Sequence, residues 1–431
     1  MIIAHGIGGR ADLPIPLPVI LIGAAAVLVI TFVALILLWT RPRLQDGPAY
    51  GAPGTSVPVR GLLATLGVSG LALVGAQVIP PLIGVEREAV RPTIALVMVW
   101  VVFWLVVPFA GALVGNWYTD FNPWRTLART FGIGRMERAG FVAKVGLWPA
   151  SLVFLAFAWF ELISSVSGDP TALGIAALGY TALLVVSMGL LGRETGLATM
   201  DFFTPYNRLI SSISPLGRNH RGQVVWRGWL ASLAVVPQWP GLWFFVVTMI
   251  GTVSYDGASG TDWFRTVTGG LSDTTVGQTF LLLASVNIIA LAYYGAASAA
   301  ASFSDGRWSA RQVARRFAHT LVPIALAYAI AHYFTLILFE GQQLIAAVSD
   351  PFGVGWDLFG TADYRVEFFV RSSTPIWLAQ VAFIVGGHLV GVVLAHDRSL
   401  RDFGRDAARS QYAMLVLMIA LTSLGLLILS G

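Results

Sequence analysis

Long apolar runs alternate with short polar stretches along the chain, and this pattern predicts a membrane protein. A transmembrane helix needs about 20 apolar residues in a row, and ten stretches reach that length. We therefore predict an all-α, polytopic transmembrane bundle of about ten spans that forms a single domain over residues 1–431. The predicted spans lie near 17–39, 61–83, 93–114, 145–166, 171–192, 229–252, 277–302, 319–340, 375–396 and 412–430.

The sixth predicted span is the one that proline interrupts most clearly. Pro237 and Pro240 flank Gln238 and Trp239. Proline removes a backbone donor and is a common cause of sharp kinks in helices. We expect a kink or a break in this span.

The basic residues give the predicted bundle a direction. Arg and Lys are enriched in cytoplasmic loops. If the N-terminus lies outside, the inner loops contain 21 of the 27 basic residues. An odd number of spans would disturb this alternation. The distribution predicts a membrane protein with both termini on the non-cytoplasmic side.

The composition excludes several classes of protein. Hydrophobic residues make up 56% of the chain and charged residues 11%, whereas soluble domains carry about 25% charged residues. The net charge of +5 is spread over short patches between apolar runs and does not form the continuous basic surface that binds nucleic acid. The partner that the composition predicts is therefore a lipid bilayer. The absence of cysteine excludes thiol catalysis and disulfides. No nucleotide-binding P-loop, GxSxG elbow or HExxH motif occurs.

The segments between spans are rich in aromatic residues. Residues 116–140 and 200–216 on the inner side combine aromatic and basic side chains, which is typical of helices that lie among lipid headgroups. Residues 253–270 and 341–373 on the outer side are rich in Gly, Asp and Trp. We expect these outer segments to fold as caps over the bundle.

Polar side chains inside the eighth and ninth spans predict a site. Such groups are costly in a bilayer and commonly functional. Tyr328 and His332 lie four residues apart and share a helix face, and His388 lies near the middle of the ninth span. His332 and His388 are candidate metal ligands and Tyr328 a candidate catalytic residue. The alternative is that each histidine only forms a hydrogen bond with a neighbouring helix.

Small residues and two further histidines complete the interpretation of these spans. Gly387 and Gly391 form a small-xxx-small face and predict close helix packing. His319 and His396 lie at the inner ends of their spans, where we expect them to be solvated.

Carboxylates and a histidine on the predicted outer side form a second set of candidates. Asp256 and Asp350 are candidate catalytic residues or ligands, and His5 is a candidate metal ligand. Carboxylate and imidazole groups suit a divalent metal that activates water. The alternative is structural, because an Asp before Gly or Pro often bonds its own backbone in a turn.

Six strings spread over the chain carry a family resemblance, namely HGIGGRADLPIPL, NPWRTL, SYDG, PIALAYAIAHY, SDPFGVGWDLFGTA and GGHLVGVVLAH. They resemble one group of bacterial multi-pass membrane proteins, the fenitrothion hydrolase-like proteins, and the resemblance covers nearly the whole chain. It implies a polytopic helical protein of the bacterial plasma membrane and attack of water on a phosphotriester P–O bond, and it carries over no catalytic residue. Removal of the residues before His5 would leave an N-terminal histidine that can chelate copper.

Three hypotheses about function remain open from the sequence. The first is a membrane enzyme, hydrolase or oxidoreductase, with a histidine and aspartate site that binds a divalent metal or copper and opens to the outer face. The second is a transporter or channel for a metal ion or small solute. The third is a non-catalytic subunit or assembly factor that binds partner subunits of a membrane complex.

Overall fold

Helices form nearly all the regular structure of the computed structural model, which describes residues 15–47, 59–88, 92–218, 223–368 and 374–431. A single two-stranded antiparallel hairpin is the only sheet within these ranges, and it pairs Gly217 with Val225. The predicted all-α polytopic bundle is confirmed.

In the first half of the chain, the described residues form thirteen α-helices and the hairpin. Between α4 and α5 the chain forms a π-helix, Val97–Val106. The elements are α1 Leu17–Leu38, α2 Arg60–Gly75, α3 Ile79–Leu82, α4 Ile94–Leu96, α5 Val107–Val114, α6 Tyr118–Phe121, α7 Pro123–Thr130, α8 Ala139–Val145, α9 Trp148–Leu162, α10 Pro170–Leu191, α11 Arg193–Met200, α12 Phe203–Ser211, β1 Leu216–Arg218, β2 Val224–Trp226 and α13 Ala231–Ala234.

Nine α-helices lie in the described ranges of the second half. Short 3₁₀ segments extend several of these helices, as at Ala318–Leu321 before α18. The elements are α14 Leu242–Ser259, α15 Asp262–Thr268, α16 Thr275–Ala301, α17 Ala310–Phe317, α18 Val322–Phe339, α19 Gln343–Ser349, α20 Thr374–Phe403, α21 Ala407–Ser410 and α22 Tyr412–Ser430.

Eight helical runs within the described ranges are long and apolar enough to cross a membrane. Two further apolar helices, α9 with 15 residues and α14 with 18, lie at the fourth and sixth predicted spans. The number of ten crossings stays a prediction. The eight runs are Leu17–Leu38, Arg60–Leu82, Ile94–Val114, Pro170–Leu191, Thr275–Ser304, Ala310–Ser349, Thr374–Ser410 and Tyr412–Ser430.

The sixth predicted span differs most from the structure. The short helix α13 ends at Ala234, and α14 does not begin until Leu242. Both prolines of the segment lie between these helices, and Gly241 enters α14 with a left-handed φ of 76°. The break expected from the prolines is confirmed, and it moves the long helix toward the C-terminus. Asp256 therefore lies inside a helix and not in the segment that follows it.

The helices α18 and α20 pack closely through glycine. A Cβ added at Gly387 would lie 2.3 Å from the Cβ of Ala327 and 2.7 Å from the carbonyl oxygen of Pro323. A Cβ added at Gly391 would lie 2.9 Å from the carbonyl oxygen of Thr320. The predicted small-residue face is confirmed, and it fixes the position of α18 in the bundle.

The helix α12 is buried, although the sequence predicts that it lies among lipid headgroups. Phe203, Tyr206 and Ile210 are at most 5% exposed. Asp201, just before this helix, is fully buried and accepts five hydrogen bonds. The donors are the hydroxyls of Tyr180 at 2.7 Å, Tyr118 at 3.3 Å and Thr204 at 2.7 Å, the Asn122 side-chain amide at 3.2 Å and the Phe203 backbone N–H at 3.0 Å.

A second buried carboxylate anchors the segment that follows α1. Asp397 of α20 is fully buried and accepts hydrogen bonds from the indole of Trp39 at 3.0 Å and from the side-chain amide of Gln45 at 2.7 Å. The backbone N–H groups of Arg43 and Leu44 donate to the same carboxylate. Because buried charges are stable only when hydrogen-bonded or paired, these donors explain how an acidic side chain is kept inside the bundle.

Candidate functional site

The helices α14 and α18 bring Asp256 and His332 into direct contact. The Nε2 atom of His332 lies 2.9 Å from the Oδ2 atom of Asp256. Asp256 is 1% exposed, whereas the side chain of His332 is 18% exposed. Asp256 lies three residues before the end of α14. The pair therefore lies about one helical turn below that end of the bundle and remains accessible.

The contact favours one tautomer of His332. An ionised carboxylate only accepts hydrogen bonds, so with Asp256 ionised the donor is Nε2–H. In the neutral ring the other nitrogen, Nδ1, then has the free lone pair. A histidine oriented by a buried carboxylate in this way is the arrangement that enzymes use for a general base.

Tyr333, the residue after His332, completes this cluster. Its hydroxyl donates to the same Oδ2 atom of Asp256 at 2.7 Å. The ring of Tyr333 packs against His332, with centroids 4.6 Å apart, and against Trp104 at 6.5 Å. Glu161 of α9 is also buried, and the charge of Asp256 disfavours its ionised form. The hydrogen bonds of the cluster join α14 to α18.

A glycine lets a third helix approach the pair. A Cβ added at Gly257 would lie 2.5 Å from a side-chain carbon of Ile428 and 3.4 Å from Nδ1 of His332. Because this position has no side chain, Ile428 of α22 and the imidazole of His332 can both lie close to the backbone of α14. The free lone pair of His332 therefore lies where α14, α18 and α22 meet.

Tyr328 and His388 form a separate contact one helical turn away from His332 along α18. Their rings lie 5.9 Å apart. The hydroxyl of Tyr328 donates to the carbonyl oxygen of Leu421. Nδ1–H of His388 donates to the carbonyl oxygen of Ile384 at 2.8 Å, and Nε2 is buried without a hydrogen-bond partner in the described structure. The catalytic role of Tyr328 and the metal role of His388 stay predictions.

Asp350 stabilises the loop in which it lies. Its two carboxylate oxygens accept the backbone N–H groups of Val354 at 3.0 Å and Gly355 at 2.8 Å. The next residue, Pro351, accepts a hydrogen bond from Gln77 of the neighbouring 3₁₀ segment at 3.0 Å. This is the turn geometry that we considered as the structural alternative for Asp350, and its catalytic role stays a prediction.

The predicted metal site is only partly within the described structure. His5 lies outside the described residues. In the ranges that the structure describes, no group of three or more His, Cys, Asp or Glu side chains converges as metal ligands would. His332 and Asp256 supply two such groups, and their use as metal ligands stays a prediction.

Two histidines differ from their prediction. His319 and His396 are 3% and 2% exposed, although we expect solvated side chains at these positions. Nδ1–H of His319 donates to the carbonyl oxygen of Arg316 at 3.0 Å. Nε2–H of His396 donates to the carbonyl oxygen of Trp39 at 3.0 Å. The prediction was wrong because α17 and the segment after α1 pack against these two histidines and cover them.

Sequence reasoning missed Tyr333 and Asp201. Helical spacing favours Tyr328 as the partner of His332, because residues four apart share a helix face. It gives no indication of Tyr333, because adjacent residues point in different directions on a helix. Here both adjacent side chains reach the same carboxylate oxygen from one side of α14. A buried acid in a segment of aromatic residues is the only signal that could have indicated Asp201.

Comparison of the chain with known proteins gives no match to a family model, to a curated protein or to a solved structure. The resemblance to fenitrothion hydrolase-like proteins stays a hypothesis that depends on the sequence strings.

Proposed function

We propose that the chain is a membrane-embedded hydrolase in which His332, oriented by Asp256, acts as a general base. The observation that carries this proposal is the contact of 2.9 Å between His332 Nε2 and Asp256 Oδ2. The contact leaves Nδ1 as the basic nitrogen of a side chain that is still accessible. With the orientation inferred from the Arg and Lys distribution, the site opens toward the non-cytoplasmic face of the plasma membrane, and this orientation is part of the proposal.

The substrate class in this proposal comes from the sequence resemblance. A phosphotriester is uncharged and enters an apolar bundle more readily than an ionic ester does. Nδ1 of His332 takes a proton from water as the water oxygen bonds to phosphorus. The P–O bond to the leaving group breaks, and the proton passes to the departing oxygen. The products are a phosphodiester and an alcohol or phenol.

Hydrolysis in lipid nanodiscs tests this function. The full-length protein is given a phosphotriester with a nitrophenyl leaving group, with and without a metal chelator. We expect release of nitrophenol above empty nanodiscs that continues in the chelator. The His332→Gln variant should be slower by about 10²–10⁴-fold, the usual contribution of a general base.

His388→Gln is the matched control, because this side chain contacts Tyr328 and not the Asp256 pair. It should hydrolyse the substrate at the wild-type rate once its folding has been checked by thermal melting. Absence of hydrolysis by the wild-type protein would refute the proposed function. Activity that the chelator removes and a metal restores, together with its loss in both variants, would replace the general base with a metal site.

A further inference from the structure

A cavity lined by several charged residues lies among the segments that connect the long helices. It has a volume of about 520 Å³ and is bounded by the chain near Asn116, by α7, α8, α11 and α12, and by Trp239. We call it the Arg208 cavity. Five of its lining residues matter for its chemistry, namely Asn116, Arg125, Glu137, Glu194 and Arg208. None of them belongs to the cluster of Asp256 and His332.

Both acidic residues of the Arg208 cavity already have partners. A carboxylate oxygen of Glu194 lies 2.9 Å from the guanidinium of Arg125. The two oxygens of Glu137 accept the backbone N–H groups of Glu194 at 2.8 Å and Thr195 at 3.0 Å, at the start of α11. Burial alone would raise the pKa of the Glu137 carboxyl. These hydrogen bonds lower the pKa by more than burial raises it, so the pKa of Glu137 lies below its ordinary value. Glu137 is therefore an anion held by the N-terminus of α11.

The cation Arg208 is not neutralised in the same way. Its guanidinium lies over the ring of Trp239, 4.5 Å from the centroid. No side chain in the described part of the chain forms a hydrogen bond or an ion pair with it. The Nε–H group of Arg125 is buried and also lacks a hydrogen-bond partner within the described ranges. The cavity thus combines a cation that no described carboxylate neutralises with a buried N–H donor that an anion can accept from.

We propose that the Arg208 cavity binds a phosphate ester anion. A planar guanidinium offers paired N–H donors that match the oxygens of a phosphate. Stacking on Trp239 fixes the plane of the guanidinium and leaves its edge available. The volume exceeds that of a bare phosphate, which leaves room for the alcohol part of the ester. This ligand is either the headgroup of an anionic phospholipid or a free phosphate ester, and its binding does not depend on the proposed hydrolase activity.

Binding of two probes to the full-length protein in nanodiscs tests the proposal. The first probe is inorganic phosphate, titrated by calorimetry into nanodiscs of phosphatidylcholine alone. The second is phosphatidylglycerol, counted by native mass spectrometry after release from mixed nanodiscs. Arg208→Gln should weaken binding at least about 10-fold. Arg208→Lys, which keeps the charge but loses the planar fork, should give an intermediate affinity and reports on binding if the first variant folds poorly.

Arg129→Gln is the charge-matched control, because Arg129 is exposed on α7 and does not line the cavity. It should bind as the wild type does. Retention of phosphatidylglycerol alone supports a lipid headgroup, and binding of inorganic phosphate supports a free ester. Binding of neither probe, or equal loss in the Arg129 and Arg208 variants, would overturn the proposal because the attraction would then be general or absent.

Discussion

Replacement of Asp256 by Asn is expected to slow phosphotriester hydrolysis by about 10²–10⁴-fold. The carboxylate accepts from both His332 and Tyr333, and an amide retains only one acceptor oxygen. If Tyr333 keeps that oxygen, the amide N–H₂ faces Nε2 of His332. The proton of the imidazole then moves to Nδ1, which removes the free lone pair from that nitrogen. Initial rates in nanodiscs measure the effect.

The control for this variant is Asp262→Asn. Asp262 begins α15 shortly after Asp256, and its side chain is 98% exposed. This substitution makes the same chemical change outside the cluster and should leave the rate unchanged. Wild-type activity in Asp256→Asn, with a melting temperature close to that of the parent, would contradict the role of Asp256 as the orienting group.

The second large effect is on stability. Replacement of Asp201 by Ala should lower the free energy of unfolding by about 3–5 kcal/mol, which is typical when one member of a buried charged network is removed. Five donors from α6, α10 and α12 and the residues between them would lose their acceptor. Burial raises the pKa of Asp201, and the hydrogen bonds from Thr204 and Tyr180 lower it, with a net increase.

Unfolding by denaturant in mixed micelles measures this loss. Asp273→Ala is a suitable control, since Asp273 is exposed at the end of a 3₁₀ segment, and surface substitutions usually change stability by less than about 0.5 kcal/mol. A loss below about 1 kcal/mol in Asp201→Ala would show that the five hydrogen bonds do not act as a network.

Much of the fold follows from local sequence patterns. Apolar runs of the required length form the long helices in the structure. The glycines of GGHLVG lie at the close contact between α18 and α20. Pro237 and Pro240 correctly indicated a break. The displacement of α14 could not be anticipated because it depends on Gly241, whose left-handed backbone starts the helix beside the chain near Trp148.

The site could be predicted only in its parts. Asp256 and His332 were both candidates, but a contact across 76 positions of the chain depends on how α14 and α18 pack. No local pattern encodes that packing. His388 shows the opposite case, because its Nδ1–H binds the carbonyl oxygen of Ile384 in its own helix. Spacing alone cannot tell such a local bond from a ligand position.

Asp201 and Asp397 show why buried polar networks are hard to infer. Each carboxylate accepts hydrogen bonds from residues that are far away in the chain. An example is the indole N–H of Trp39, which donates to Asp397. In the sequence, an acidic residue between apolar neighbours gives no indication of whether its side chain is solvated or fully buried. Only the packing of the surrounding helices decides between these environments.

The protonation of His332 tests the central claim most directly. Nitrogen-15 NMR of histidine-labelled protein in lipid reports which ring nitrogen carries the proton, and the chain has six histidines, so His332→Gln identifies the signal. We expect a neutral ring protonated at Nε2, with this preference lost in Asp256→Asn. A proton on Nδ1 in the wild type, or a ring nitrogen bonded to a metal, would contradict a general base oriented by Asp256.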